Sequence, residues 1–213
     1  MKKIICLLLA GMSCSWAGAQ SLKFGLKGGV NYSNVAGDLQ KEEIYNSKVG
    51  FHGGLSANIG LLGQALSIQP ELLYSQKGYN YLNEEAVIDG LEHENKGKRN
   101  FSYVDLPVVL RVKARGFFVE AGPQIGYLAG VQDKKEVSVN NIEDKDVEWL
   151  PKEGMPEWEA GYVAGLGFAS NSGLSLGLRY NGRIDNLVKE SNANWTNARH
   201  SVLQVQVGFQ LTE

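Results

Sequence analysis

Eight runs of alternating apolar and polar residues, joined by connections that are long and short in turn, constrain this chain more than any other feature. From Leu22 the even positions read Leu22, Phe24, Leu26, Gly28, Val30 and Tyr32, with Lys23, Gly25, Lys27, Gly29 and Asn31 between them. Successive side chains of a strand point to opposite faces, so this run has one apolar face and one of polar residues and glycine. The same pattern returns in residues 49–59, 66–74, 104–112, 117–127, 158–168, 174–180 and 201–211. Strands of about nine to eleven residues cross a bilayer when tilted. The connections 62–65, 114–116 and 169–173 are short, and 33–47, 78–100, 130–157 and 181–198 are long. Short periplasmic turns and long extracellular loops have this asymmetry. The expected fold is all-β: an eight-stranded antiparallel up-and-down transmembrane β-barrel with both termini on the periplasmic side.

The first residues set the compartment. Lys2 and Lys3 precede an apolar run, and Ala17-Gly18-Ala19 supplies a small-residue cleavage site. This is the form of a secretory signal peptide, too short for a membrane helix. Residues 1–19 are expected to be removed and 20–213 to form a single barrel domain. A lipoprotein acylated at Cys14 would need an aliphatic residue three positions upstream, where Gly11 stands. Cys6 and Cys14 both lie in the leader, so disulfide and thiol chemistry are excluded for the mature chain. Without Lys2 and Lys3, 19 basic residues face 23 acidic ones, a balance that gives no reason to expect nucleic acid as a partner. No run of eighteen apolar residues follows the leader, so no membrane-spanning helix is expected.

Alternation alone leaves a soluble, lipocalin-like barrel open, with its apolar face turned inward around a ligand. Two details favour the membrane. On the apolar face Tyr32, Tyr74, Tyr127, Trp158 and Tyr180 sit at the long-loop ends of their strands, and Phe24, Phe117, Phe168 and Phe209 at the short-turn ends. Aromatic rings with polar tips suit a membrane interface. The polar face is rich in glycine, including Gly25, Gly29, Gly54, Gly122, Gly126 and Gly165, which a solvent-facing strand would avoid and a crowded lumen requires. Pro70, Pro107 and Pro123 fall inside strands and remove ladder donors, so local bulges are expected there. Phe101 and Tyr103 lie on the nominally polar face, a conflict that a bulge near Asp105 would repair.

These residues resemble the PorT-like outer-membrane β-barrel family of Bacteroidota, often labelled "porin family protein". The resemblance spans essentially the whole mature chain. It is carried by residues 25–31 (GLKGGVN), 69–78 (QPELLYSQKG), 103–107 (YVDLP), 121–123 (AGP) and by Arg179-Tyr180. It implies that the strand prolines are ordinary for the family, and one branch is tied to protein secretion across the outer membrane. The motifs are almost silent on activity.

Function is sought in the lumen and the loops. Glu71, Arg111, Glu120 and Arg179 face inward, surrounded by Lys23, Lys27, Gln69, Lys113, Gln124, Glu159, Gln204 and Gln206. Opposite charges on neighbouring strands pair across a ladder. Eight strands leave an interior just wide enough for side chains, so an ion-paired plug is expected over a charge-selective channel. No catalytic residue, metal site or cofactor is expected. His52 and His200 share the polar face at one rim and are the only candidates for a metal or acid–base pair, without a placed carboxylate; His93 lies in the second loop. Loops 78–100 and 130–157 are the candidate protein contacts, outer-membrane lipid being the other partner. Val137, Val139, Ile142, Val147, Trp149 and Leu150 either form an exposed contact stripe or pack on Tyr79, Tyr81, Val87 and Ile88. The alternating stretches 136–139 and 146–149 suggest a hairpin above the membrane.

Overall fold

The computed structural model describes residues 22–39, 45–63, 65–88, 91–139, 142–151, 155–184 and 195–211; the leader, 1–19, lies outside this set. The strands are β1 (Leu22–Leu39), β2 (Tyr45–Leu62), β3 (Leu66–Ile88), β4 (Leu91–Ala114), β5 (Phe117–Val139), β6 (Ile142–Leu150), β7 (Trp158–Ala169), β8 (Leu174–Arg183) and β9 (Trp195–Gln210). All pairings are antiparallel. They run β1–β2–β3–β4–β5–β7–β8–β9 and return to β1, which closes a ring of eight and leaves no edge in the membrane zone.

Strand β6 is the ninth. It pairs only with the upper half of β5, above the stretch of β5 that pairs with β7. Val139 faces Ile142 across the tip, so the hairpin expected from the two alternating stretches forms. Strands β3 to β5 likewise run far past their aromatic ends. The 78–100 connection is therefore mostly a continuing β3–β4 hairpin, with Gly78 paired to Asn100 and Ile88 to Leu91.

The direction of the faces excludes the soluble alternative. Leu, Val, Ile and Phe side chains of the alternating runs are on the outside, for example Phe24, Leu55, Val119 and Leu166. Buried positions inside the ring are held by Lys27, Gln69, Glu71, Asp105, Arg111, Glu120 and Arg179. Such a surface is stable only where the outer solvent is lipid, which also demands that every backbone group be paired within the wall. Tyr127 meets Trp158 at a tilt with ring centres 5.0 Å apart on the long-loop side, and Phe117 meets Phe168 edge-on at 5.4 Å on the other. Tyr32, Tyr74 and Tyr180 share the first belt and Phe209 the second; all are exposed on the outer face.

The expectation of bulges at the strand prolines fails. The register is continuous through all three prolines: Pro70 faces Val108, Pro107 faces Gln124 and Pro123 faces Tyr162 with no shift beside them. Each proline omits a hydrogen bond without displacing the strand, because the neighbouring pairs hold the ladder in line. The irregularity considered near Asp105 is present, although Asp105 itself pairs in register with Leu73 and Gly126. Phe101 and Tyr103 simply point inward and are buried. The shift lies between Ser102 and Tyr103, where Ser102 faces Gly130 and Tyr103 faces Leu128, so the extra residue belongs to β5.

Candidate functional site in the lumen

The inward side chains stack in layers along the barrel. In the half towards the short turns, Arg179 of β8 donates to Glu71 of β3 through Nη1 at 2.8 Å and Nη2 at 3.0 Å. It also donates to Glu120 Oε1 of β5 from Nε at 2.8 Å and Nη2 at 2.5 Å. Arg111 of β4 takes the other oxygen of Glu120 with Nε at 3.0 Å and Nη2 at 2.5 Å, and its guanidinium lies over the Phe118 ring at 4.1 Å. Lys27 of β1 reaches Glu71 Oε1 at 2.5 Å. The four residues expected to form the network converge, with Lys27 as a fifth. Charges this deeply buried are tolerable only when paired and hydrogen-bonded, and each carboxylate here holds two cations.

A neutral layer follows. Asn31 Oδ1 accepts from Gln204 Nε2 at 2.8 Å and from the Nδ1–H of His52 at 2.7 Å, while its Nδ2 donates to Ser75 Oγ at 3.0 Å and the Gln76 carbonyl at 2.8 Å. The His52 ring lies over Gly29, where an added Cβ would meet Cε1 at 2.7 Å. Above it, Lys77 binds Asp105 at 3.2 Å and also Glu159, and Arg183 meets Glu159 at 3.3 Å. The Lys77 ammonium sits 4.4 Å from the centre of the Tyr103 ring. Gly126 makes room for this layer, since a Cβ there would stand 2.7 Å from Asp105 Oδ1. A cavity of about 10 Å³ between Lys77, Gln124, Glu159 and Arg183 has space for about one water.

The lumen ends above in an apolar cap. Tyr79, Phe101, Tyr103, Leu128 and Val131 form a buried cluster against which Tyr81, Leu150 and Met155 pack. Beyond it Arg99 pairs with Asp133 at 2.7 Å, and the Tyr81 hydroxyl donates to Asp133 at 2.9 Å. Burial, and then the Asp133 carboxylate, push the Tyr81 hydroxyl up to about 12. The two loop readings are thus divided between residues. Tyr79, Tyr81 and Leu150 pack together, whereas Val147 and Trp149 are 50% and 68% exposed on the outer side. The side chains of Val87, Ile88, Val137, Val139 and Ile142 lie outside the described set.

The histidine pair does not form. His52 stands opposite Gly29 of β1 and His200 opposite Val35, six residues further along the same strand. At the rise of a strand that separates their backbones by roughly 20 Å. The cause is the slant of the ring, in which residues at the same count from a strand end are not level. The side chains of His93 and His200 lie outside the described set. Among the described residues no three His, Cys, Asp or Glu side chains are grouped to hold a metal.

Sequence reasoning passed over Lys77, Asp105 and Arg183, three of the four charges of the upper layer. The signal was available: continuing the alternation of β3 past Tyr74, of β4 through Val104 to Leu106 and of β8 past Tyr180 puts all three on the inward face. Ending the strands at their aromatic belt hid Arg183, and the parity conflict around Phe101 hid Asp105.

Comparison with known proteins finds likenesses to solved structures and one family model. The chain resembles, at 14% identity over 90% of its length and 99% of the other, the attachment invasion locus protein Ail of Yersinia pestis, solved with the heparin analogue sucrose octasulfate, with a TM-score of 0.43. Neisserial surface protein A matches at 12% identity over 90% of this chain and 99% of its own, with a TM-score of 0.46. OprG from Pseudomonas aeruginosa matches at 10% identity, over 92% and 99%, with a TM-score of 0.40. At these scores the likenesses carry no weight beside the strand ring itself. No curated protein matches the sequence. A family model described as the outer membrane protein beta-barrel domain matches residues 18–187, so the chain belongs to that outer-membrane family.

Proposed function

We propose that this protein is a non-enzymatic outer-membrane barrel whose lumen is closed by paired charges and whose work is done by its extracellular sheet. The observation that carries the reading is the Glu71–Arg179–Glu120 bridge, which spans the ring from β3 through β8 to β5 with side chains that are fully buried. A conducting pore would keep a wetted path past such groups. This one has them hydrogen-bonded to one another and roofed by the Tyr79–Phe101–Leu128 cluster. Above the membrane, β3 to β6 form a four-stranded sheet whose outer side presents Val147 and Trp149, an apolar surface suited to a protein contact.

The motifs at 25–31 and 69–78 support membership of the PorT-like branch from Bacteroidota. The leader is cleaved after Ala19 to leave Gln20 as the first residue, which N-terminal sequencing of outer-membrane material checks. The deciding experiment is conductance in planar bilayers. The purified barrel is expected to stay silent at moderate voltage. Steady ohmic steps from the wild-type chain would replace the plug with a narrow channel.

A further inference from the structure

Among the described residues, the periplasmic end of the lumen holds more positive charge than carboxylate to neutralise it. Lys23, Lys27, Arg111, Lys113 and Arg179 project into the lower half of the ring against two carboxylates, Glu71 and Glu120. Both carboxylates are taken by Lys27, Arg111 and Arg179. Lys23 and Lys113 lie below them and, with Asn58, Ser67, Arg111 and Gln210, line a cavity of about 50 Å³. Lys23 is on β1 and Lys113 on β4, with two strands between them in the ring, and both line this one cavity. No carboxylate lines this cavity among the described residues.

The donors around it are partly unspent. Arg111 engages Glu120 with Nε and Nη2, which leaves Nη1 without a protein hydrogen bond among the described residues. Ser67 Oγ accepts from Asn58 Nδ2 at 2.9 Å, so its own proton remains to be given. Half-buried cations gathered without a counter-charge repel one another, and an anion in their midst reverses the sign of that energy. The space is that of a few waters, too small for a sugar or a peptide stem.

We infer that the periplasmic vestibule binds one small oxyanion of phosphate size, clamped between Lys23 and Lys113 and hydrogen-bonded by Arg111 and Ser67. The lining residues are on the inner face of the wall, so a lipid headgroup does not reach them and the ligand is a dissolved anion. The test is calorimetric titration of inorganic phosphate into the purified full-length mature chain in detergent at low salt. Saturable one-site binding is expected, weakening with ionic strength and falling roughly tenfold or more in K23Q/K113Q. The same variant should keep the shift in gel mobility on boiling that marks a closed barrel. K98Q/K134Q, which alters exposed extracellular lysines, should bind as the wild type does. Three results overturn the inference. The wild type shows no saturable binding; K23Q/K113Q binds unchanged, which would mean an adventitious ion only; or binding emerges only after Thr212 and Glu213 are deleted, which would make the chain's own terminal carboxylates the occupant.

Discussion

Replacing Glu120 by Gln keeps the shape of the side chain and removes the charge on which two buried arginines converge. Arg111 and Arg179 together place four hydrogen bonds on this carboxylate, between 2.5 and 3.0 Å, and Gln206 adds a fifth at 3.2 Å. Removing one partner of a buried ion pair costs about 3–5 kcal/mol, because the other charge is stranded. Two pairs are touched, yet the cost should not double. Arg179 keeps Glu71 through Nη1 and Nη2, and only Arg111 is left without a carboxylate. The expected loss for Glu120→Gln is therefore about 3–5 kcal/mol. Urea unfolding in lipid vesicles measures it, followed by tryptophan fluorescence and by the heat-shifted gel band. Lys135→Gln is the control: its partner Glu148 is 4.0 Å away and both side chains are more than half exposed, so the change should stay within about 0.5 kcal/mol. Adding Arg111→Met to Glu120→Gln removes the stranded cation and should restore part of the loss, a coupling that a double-mutant cycle reads directly. A Glu120→Gln barrel as stable as the wild type, or one that Arg111→Met fails to rescue, would refute the view that the lumen is held by mutual neutralisation.

Two other substitutions probe the remaining parts of the structure. Val108→Arg places a charge on the outer face near the middle of the membrane-spanning part of β4, 45% exposed to what should be hydrocarbon, and is expected to cost about 2–4 kcal/mol in vesicles; a neutral outcome would mean that this face meets water. Tyr81 titrates higher in the folded sheet, about 12 against an ordinary 10.0, because burial and the bond to Asp133 favour its protonated form. Its contribution is whole below pH 10 and is lost as pH rises towards 12. Amide exchange in the β3–β5 extension should therefore quicken over that window in the wild type beyond the intrinsic base catalysis, and Tyr81→Phe should abolish the excess; an identical pH profile in both proteins would sink the assignment.

The sequence by itself determined the wall. Period-two alternation is a local property of the pleat, and the spacing of glycine- and serine-rich turns is equally local, so strand number, connection lengths and the composition of each face could be read from one chain. The inward placement of Glu71, Arg111, Glu120 and Arg179 followed from parity alone. Even the hairpin above the membrane was legible in two short alternating stretches, though its tip at Val139 and Ile142 was not.

What only the tertiary structure decided is everything set by closure and slant. The same alternation suits a barrel with its apolar face in or out, and the direction follows from which solvent surrounds it. The partners of a lumen charge are not its sequence neighbours: Lys27 meets Glu71 across 44 residues and Arg179 meets it across 108. Those meetings depend on how far each strand slides against the next before the ring closes, a quantity that no single strand carries. The same slide separates His52 from His200, brings Lys77 to Asp105 and Glu159, and lets three prolines sit in register. It also brings Lys23 and Lys113 to the lining of one cavity, on strands that are not neighbours in the ring.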